Sequence, residues 1–128
     1  MNVLLVMIGG FLGAILRFAL GEWVYTINGF PLDTLIINLM GCFFLGWFLT
    51  YVIQKEKISP EYTLIVGTGL IGSFTTFSTF SLETINLFQQ GLIFLGATNV
   101  LGTTVLSLLL VYLGRRLALS KKKAGVVE

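Results

Sequence analysis

The chain has 128 residues, 55% of them hydrophobic and 11% charged, with a formal net charge of +2 and a mean hydropathy of +0.93. This composition is typical of membrane proteins and leaves too little polar chain for a separate soluble catalytic domain. There is no His and only one Cys, Cys42, which excludes an intrachain disulfide and a metal site built from His and Cys.

We therefore predict an all-α membrane protein with a single domain over residues 1–128. Its four transmembrane helices are placed at about residues 3–21, 33–53, 62–88 and 93–114. The N-terminus lacks a charged region and a small-residue cleavage pattern, so the first hydrophobic segment is interpreted as a mature helix and not as a signal peptide.

The basic residues are distributed unevenly. Seven of the eight follow the second or the fourth predicted span, namely Lys55, Lys57, Arg115, Arg116, Lys121, Lys122 and Lys123. Four spans place all seven on the side that also holds the N-terminus, and the positive-inside rule then predicts a cell-membrane protein with both termini in the cytoplasm. The Lys121–Lys123 run is interpreted as a topology and lipid-headgroup signal, with no nucleic acid as partner.

The first span carries small residues at a helical spacing. Gly9, Gly13, Arg17 and Gly21 recur every four residues, which places them on one face and predicts close approach of a neighbouring helix. Two interpretations are open for Arg17. It is either an arginine that reaches the membrane interface through its flexible stem, or a cation beside a vestibule that raises the local anion concentration.

In the second span, Asp33 is predicted to cap the N-terminus of the helix. Asn38, Cys42 and Gly46 form a second four-residue stripe. Asn38 either joins helices through its amide or turns its amide hydrogens towards a passing anion.

The run Gly67–Glu83, GTGLIGSFTTFSTFSLE, is the central feature of the third span, which Ser59 and Pro60 are predicted to start. Its three glycines loosen the helical ladder, and the six hydroxyl side chains that follow Gly72 offer the backbone other partners. We predict a helix broken near the bilayer midplane, as in ion sites of channels and transporters. Glu83 is the only formal charge between residues 62 and 114, so it requires a partner or a function.

In the fourth span, Asn99, Thr103 and Ser107 recur every four residues. These side chains either bond back to their own helix or form a polar track that faces the third span.

Enzyme chemistry is not supported, because no nucleophile stands with a base. Neutral donors and the electropositive ring edges of Phe77 and Phe80 favour a channel for a small anion, although two such phenylalanines are also ordinary packing residues. A proton-coupled small multidrug-type transporter using Glu83 is the alternative, and its usual first-span carboxylate is absent here. A third class is a subunit that assembles without transporting.

Three segments resemble the fluoride channel family, Fluc/CrcB. Gly69–Phe80, GLIGSFTTFSTF, followed by Glu83, is similar to the family's third-span signature. GAILRF at Gly13–Phe18 and NLMGCFFLG at Asn38–Gly46 resemble its marks in the first two spans. The resemblance covers Val3–Arg116.

The resemblance implies an antiparallel dimer of four-helix subunits with two pores along the interface. The implied activity is passive export of fluoride, which lowers its toxicity. It also implies a structural Na⁺, not transported, held by backbone carbonyls of Gly72 and Thr75.

Carried over by position, the resemblance makes Phe77 and Phe80 the pore phenylalanines and Asn38 the pore asparagine. The residues implied along the polar route and its vestibule are Ser78, Thr79, Thr103, Ser107, Arg17 and Glu83. The chain departs from the family at two positions, with Ser73 where glycine is common and Asn99 where tyrosine is frequent.

The charge distribution bears on the implied dimer. A chain that pairs with itself in antiparallel fashion must insert in both orientations, which requires a Lys/Arg balance near zero. Here the balance is seven residues against at most one, Arg17. This favours one orientation and a heterodimer with an oppositely oriented homologue. The open alternative is a homodimer in which Na⁺ and interface packing select inverted copies.

Overall fold

The computed structural model describes residues 2–24, 29–55 and 58–124. In this part of the chain, four helical segments are long and apolar enough to cross a membrane. They are Asn2–Trp23, Leu32–Gln54, Pro60–Gln89 and Ile93–Ser120. The prediction of an all-α protein with four transmembrane helices is confirmed.

Helix α1 comprises Asn2–Trp23 and α2 comprises Leu32–Gln54. The third span has four parts: α3 (Pro60–Thr63), a π-helical segment (Leu64–Ile71), α4 (Gly72–Phe74) and α5 (Phe77–Gln89). Helix α6 comprises Ile93–Ala124 and continues past the predicted end at Gly114.

The two predicted N-caps have different outcomes. The Ser59 hydroxyl accepts a hydrogen bond from the Tyr62 amide at 3.3 Å, and Pro60 opens the helix as predicted. The prediction for Asp33 is wrong, because α2 already begins at Leu32, where the Pro31 carbonyl accepts the bond from the Leu35 amide. Asp33 instead lies in the first turn, where its charge interacts favourably with the helix dipole.

Helix α1 packs against the π-helical segment through its glycines. A Cβ at Gly9 would collide with the Ile65 carbonyl oxygen, and one at Gly13 with the Leu70 carbonyl oxygen. The predicted close approach is confirmed at these two positions, and a Cβ at Gly21 would meet no atom of a neighbouring described residue within 4 Å. A π-helix is wider than an α-helix, so it lies close to α1. A side chain at either glycine would push the backbone of α1 away from that of the π-helical segment.

Helices α2 and α6 share the most extensive contact in the described structure. The approach is reciprocal, since Gly46 of α2 lies against the backbone of Val111, and Gly114 of α6 lies against the backbone of Phe43. Helix α5 reaches α6 through a tight turn at Gly91, whose φ of 76° is readily adopted only by glycine.

Candidate functional site

The third span is not helical at Thr75 and Thr76. Helix α4 ends at Phe74, Thr75 has ψ 153°, and Thr76 is extended with φ −139° and ψ 126° before α5 begins at Phe77. We refer to Thr75 and Thr76 as the break. The Thr75 amide keeps a helical bond to the Ile71 carbonyl at 3.2 Å. The other backbone groups of the break need partners when water is excluded.

Asn38 of α2 supplies two of those partners. Its Nδ2 donates to the Thr76 carbonyl at 3.0 Å, and the Thr76 amide donates to Asn38 Oδ1 at 2.8 Å. Both residues are only 8% exposed. Of the two interpretations open for Asn38, the helix-joining one describes this geometry.

The Thr76 hydroxyl caps α5. Its Oγ1 accepts a hydrogen bond from the Thr79 amide at 3.2 Å and donates to Thr79 Oγ1 at 3.0 Å. Ser78 Oγ lies 3.3 Å away. The break therefore brings three hydroxyl groups together at the N-terminus of α5.

Ser73 fixes the other side of the break. Its hydroxyl donates to the Gly10 carbonyl of α1 at 2.8 Å. The position where the resemblance leads one to expect glycine thus holds a side chain that joins α4 to α1.

The oxygens of Gly72 and Thr75 are suited to a hard monovalent cation. The helical donor to the Gly72 carbonyl would be the Thr76 amide, which bonds to Asn38 instead. The Gly72 oxygen accepts only a long bond, 3.3 Å, from Thr75 Oγ1 among the side chains described. In the described residues no backbone amide outside the regular helices donates to the Thr75 carbonyl. Carbonyl oxygens freed in this way are the ligands that membrane proteins use for Na⁺.

Phe77 and Phe80 begin α5 directly after the break. Their ring centroids are 6.0 Å apart and their planes are inclined at 43°. The Phe77 ring is 79% exposed on the outside of the chain, and Phe80 is half-buried. An exposed ring of this kind can present its positive edge to an anion or pack against another molecule.

A polar cleft of about 350 Å³ opens beside the break. Its lining residues are Ala14, Arg17, Phe18, Gly21, Glu22, Asp33, Thr34, Ile37, Thr76 and Thr79. Arg17 thus shares a cleft with Thr76 of the break and with Thr79. Glu22 and Asp33, which the sequence did not place at the site, bring negative charge to the same cleft.

Glu83 has a hydrogen-bond partner, as expected for a charged group within a membrane span. The Thr34 hydroxyl donates to Glu83 Oε1 at 2.8 Å. The other oxygen, Oε2, is buried and has no hydrogen-bond partner in the described part of the chain. Thr34 lies one turn before Asn38 on α2, and this i, i+4 spacing is the pattern from which its role could have been found.

Of the three predicted polar residues of α6, Asn99 bonds to the third span, and Thr103 bonds to Asn99 on its own helix. Asn99 Nδ2 donates to Thr84 Oγ1 of α5 at 2.9 Å, and the Thr103 hydroxyl donates to Asn99 Oδ1 at 3.4 Å. Ser107 is half-buried one turn further along. Thr84 is a bonding partner of Asn99 that periodicity did not single out.

The described residues thus fall into two groups. Arg17, Thr76 and Thr79 line the cleft, whereas Thr103 lies on α6 and connects to α5 through Asn99. The first group offers hydroxyl groups and one cation beside the carboxylates of Glu22 and Asp33, and the ring edges of Phe77 and Phe80 follow directly in the chain.

Comparison with known proteins places this geometry in context. Residues 4–115 match the family described as CrcB-like protein, Camphor Resistance (CrcB). A protein of Oceanobacillus iheyensis named fluoride-specific ion channel FluC is 52% identical over 122 residues, covering 95% of each chain. Proteins with the same name in Methanocaldococcus jannaschii and Shewanella frigidimarina are 47% and 46% identical. Those alignments cover 93% and 94% of this chain and 95% and 98% of theirs.

Proposed function

This chain belongs to the CrcB family, and on that premise we propose that it is a fluoride-specific ion channel through which fluoride leaves the cytoplasm passively. The observation that carries the proposal is identity of 52% to a relative named for this activity, over an alignment that includes nearly the whole chain. The donors and ring edges around the break support it, because they suit a small anion.

The proposed path begins at the cleft that contains Arg17. Arg17 is the positive group of this entrance, beside the carboxylates of Glu22 and Asp33, and it would meet the anion there without binding it deep in the membrane. Further in, hydroxyls of Ser78, Thr79, Thr103 and Ser107 and the edges of the two phenylalanine rings replace part of the water shell. Neutral partners hold an anion less tightly than a full charge would, so the ion can leave again.

Exposure of Phe77 supports a dimer. Phe77 is 79% exposed in the described part of the chain, which leaves most of its surface free for another molecule, and we infer that a second subunit in antiparallel orientation completes the pore wall. In this arrangement Asn38 has an indirect role, because its amide holds the Thr76 backbone that precedes the rings.

A structural Na⁺ is part of the proposal. The carbonyls of Gly72 and Thr75 would hold it, and it would supply a fixed positive charge that neutralises oxygens freed by the break. These carbonyls need a partner because unpaired polar groups in a dry site are costly.

Removing Na⁺ is expected to reduce fluoride current or dimer stability, since Gly72 and Thr75 would lose that partner. The measurement is current and dimer fraction after exhaustive exchange into a buffer containing only a bulky organic cation, with Na⁺ restored as control. Equal current and equal dimer fraction in both buffers would count against the Na⁺ site.

The orientation of the chain is expected to be mostly single, with its termini in the cytoplasm, because seven basic residues lie on one side. A cysteine in a tag after Glu128, in a variant carrying Cys42→Ala, reports the orientation through labelling of intact cells at native expression. Labelling from the inside alone would support a heterodimer with an oppositely oriented homologue. Substantial labelling from both sides would contradict this prediction and support a homodimer.

The proposed function is tested by fluoride efflux from liposomes that contain the purified protein, with chloride as the control anion. Fluoride efflux without chloride efflux and without a proton gradient is the expected result. A proton-coupled transporter would require the gradient and fail with Glu83→Gln, and a subunit that only assembles would show no flux. Either outcome would overturn the channel proposal.

A further inference from the structure

Helix α5 carries both pore phenylalanines, but it is not continuous with any other helix. The break separates it from α4, and the turn at Gly91 separates it from α6. Because no neighbouring helix continues into α5, side-chain contacts must determine the rotation of α5 about its own axis.

Asn99 is the most deeply buried large side chain in the described structure, at 1% exposure. An amide at that depth costs free energy unless it is hydrogen-bonded. Its Nδ2 donates to Thr84 Oγ1 at 2.9 Å, and Thr84 Oγ1 in turn donates to the Phe80 carbonyl at 2.7 Å. Two hydrogen bonds therefore connect α6 to the backbone of a pore residue, and the Thr103 hydroxyl donates to Asn99 Oδ1 within α6 at 3.4 Å.

Two side-chain hydrogen bonds hold α5, and they come from different helices. Thr34 of α2 holds Glu83, and Asn99 of α6 holds the next residue, Thr84. Successive residues of a helix project about 100° apart, so these two bonds hold α5 from two different sides. A single bond would leave α5 free to pivot, whereas two bonds at different angles fix its rotation.

Helices α5 and α6 also pack closely near Gly96, but this packing lies further from the aromatic pair than the hydrogen bond of Asn99 does. A Cβ at Gly96 would lie 2.5 Å from the Phe88 ring, so α5 and α6 touch near their turn. Thr84 is one turn nearer the break, and Phe80 is one turn nearer still. The hydrogen bond from Asn99 is thus the polar contact with α6 that lies closest to the aromatic pair.

We propose that Asn99 is a positioning residue for the aromatic pair, because through Thr84 it fixes the rotation of α5 and hence the place of both rings in the pore. The inference rests on the proposed fluoride channel. It assigns Asn99 no contact with the ion itself.

The test compares unitary fluoride currents in planar bilayers, because misfolding lowers the number of channels and not the current through each. Asn99→Leu keeps a similar volume and removes the amide. Thr84→Val keeps the volume and removes the hydroxyl, whereas Thr84→Ser keeps the hydroxyl and loses a methyl group. Thr98→Val is the matched control. Thr98 is exposed on α6, the helix of Asn99, and its hydroxyl bonds to the Phe94 carbonyl of that helix.

We expect the unitary current to fall about tenfold in Asn99→Leu and Thr84→Val, equal to about 1.4 kcal/mol at the barrier. Thr84→Ser and Thr98→Val are expected to stay within about twofold of wild type. A role in packing alone predicts the opposite order for the two Thr84 variants, because only serine leaves a void.

Three results would overturn the inference. They are a wild-type unitary current in Asn99→Leu, a larger loss in Thr84→Ser than in Thr84→Val, and failure of both Asn99→Leu and Thr84→Val to fold. The last result would show that the hydrogen bond serves the stability of the fold and not the position of the rings. A wild-type protein that conducts no fluoride would instead refute the proposed function, so the two failures are distinguishable.

Discussion

Isoleucine in place of Phe80 or of Phe77 is expected to abolish fluoride current while the protein still assembles. Isoleucine preserves hydrophobic bulk but has no aromatic edge, so the anion loses partners that replace its water shell. A loss of at least about 100-fold, or about 2.7 kcal/mol at the barrier, is expected. Unitary currents in planar bilayers measure it, with size-exclusion chromatography as the check on assembly.

Phe94→Ile is the matched control. Its ring is 82% exposed on α6, close to the 79% of Phe77, but it lies away from the break. The control should conduct like wild type. If Phe77→Ile and Phe80→Ile also conduct like wild type, the two rings have no role in permeation and belong to packing.

Asn38→Leu is expected to cost both stability and current. The substitution leaves the Thr76 amide and carbonyl unpaired at a position that is 8% exposed. Each unpaired buried group costs about 1–3 kcal/mol, and the extended conformation of the break depends on both. The temperature at which the purified protein loses its monodisperse elution profile should fall, and fluoride current should disappear.

Two further variants make this result specific. Asn38→Asp keeps an oxygen that accepts from the Thr76 amide and loses the donor to the Thr76 carbonyl, so an intermediate effect is expected. Asn86→Leu, at an exposed asparagine of α5, should leave both measurements unchanged. Wild-type stability in Asn38→Leu would show that the break does not depend on the amide.

Local patterns in the sequence identified the elements because their causes are local. The Ser59 cap depends on neighbours within one turn, as does the turn at Gly91. The four-residue stripe in α1 predicted close approach correctly at Gly9 and Gly13 but not at Gly21. Spacing defines a face of a helix, but it does not say how far along that face the neighbouring helix extends.

Partners that are distant in sequence could not be predicted from periodicity. Thr34 and Glu83 are 49 residues apart, and Asn38 and Thr76 are 38 apart. Burial cost predicted that Glu83 needs a partner or a function, and helix joining was one of the two interpretations of Asn38, but the identity of each partner depends on which helices adjoin. Asp33 is a local prediction that failed. Its residue type suits an N-cap, but the Pro31 carbonyl accepts the first hydrogen bond of the helix, which therefore begins earlier.

The pairing of helices has a consequence for biosynthesis. Helix α2 makes its most extensive contacts with α6, which leaves the ribosome after the third span. Domains mature from the N-terminus during synthesis, but here α2 must wait in the lipid until α6 has been inserted. In a nascent chain that stops after α5, Gly46 would therefore face lipid where Val111 belongs.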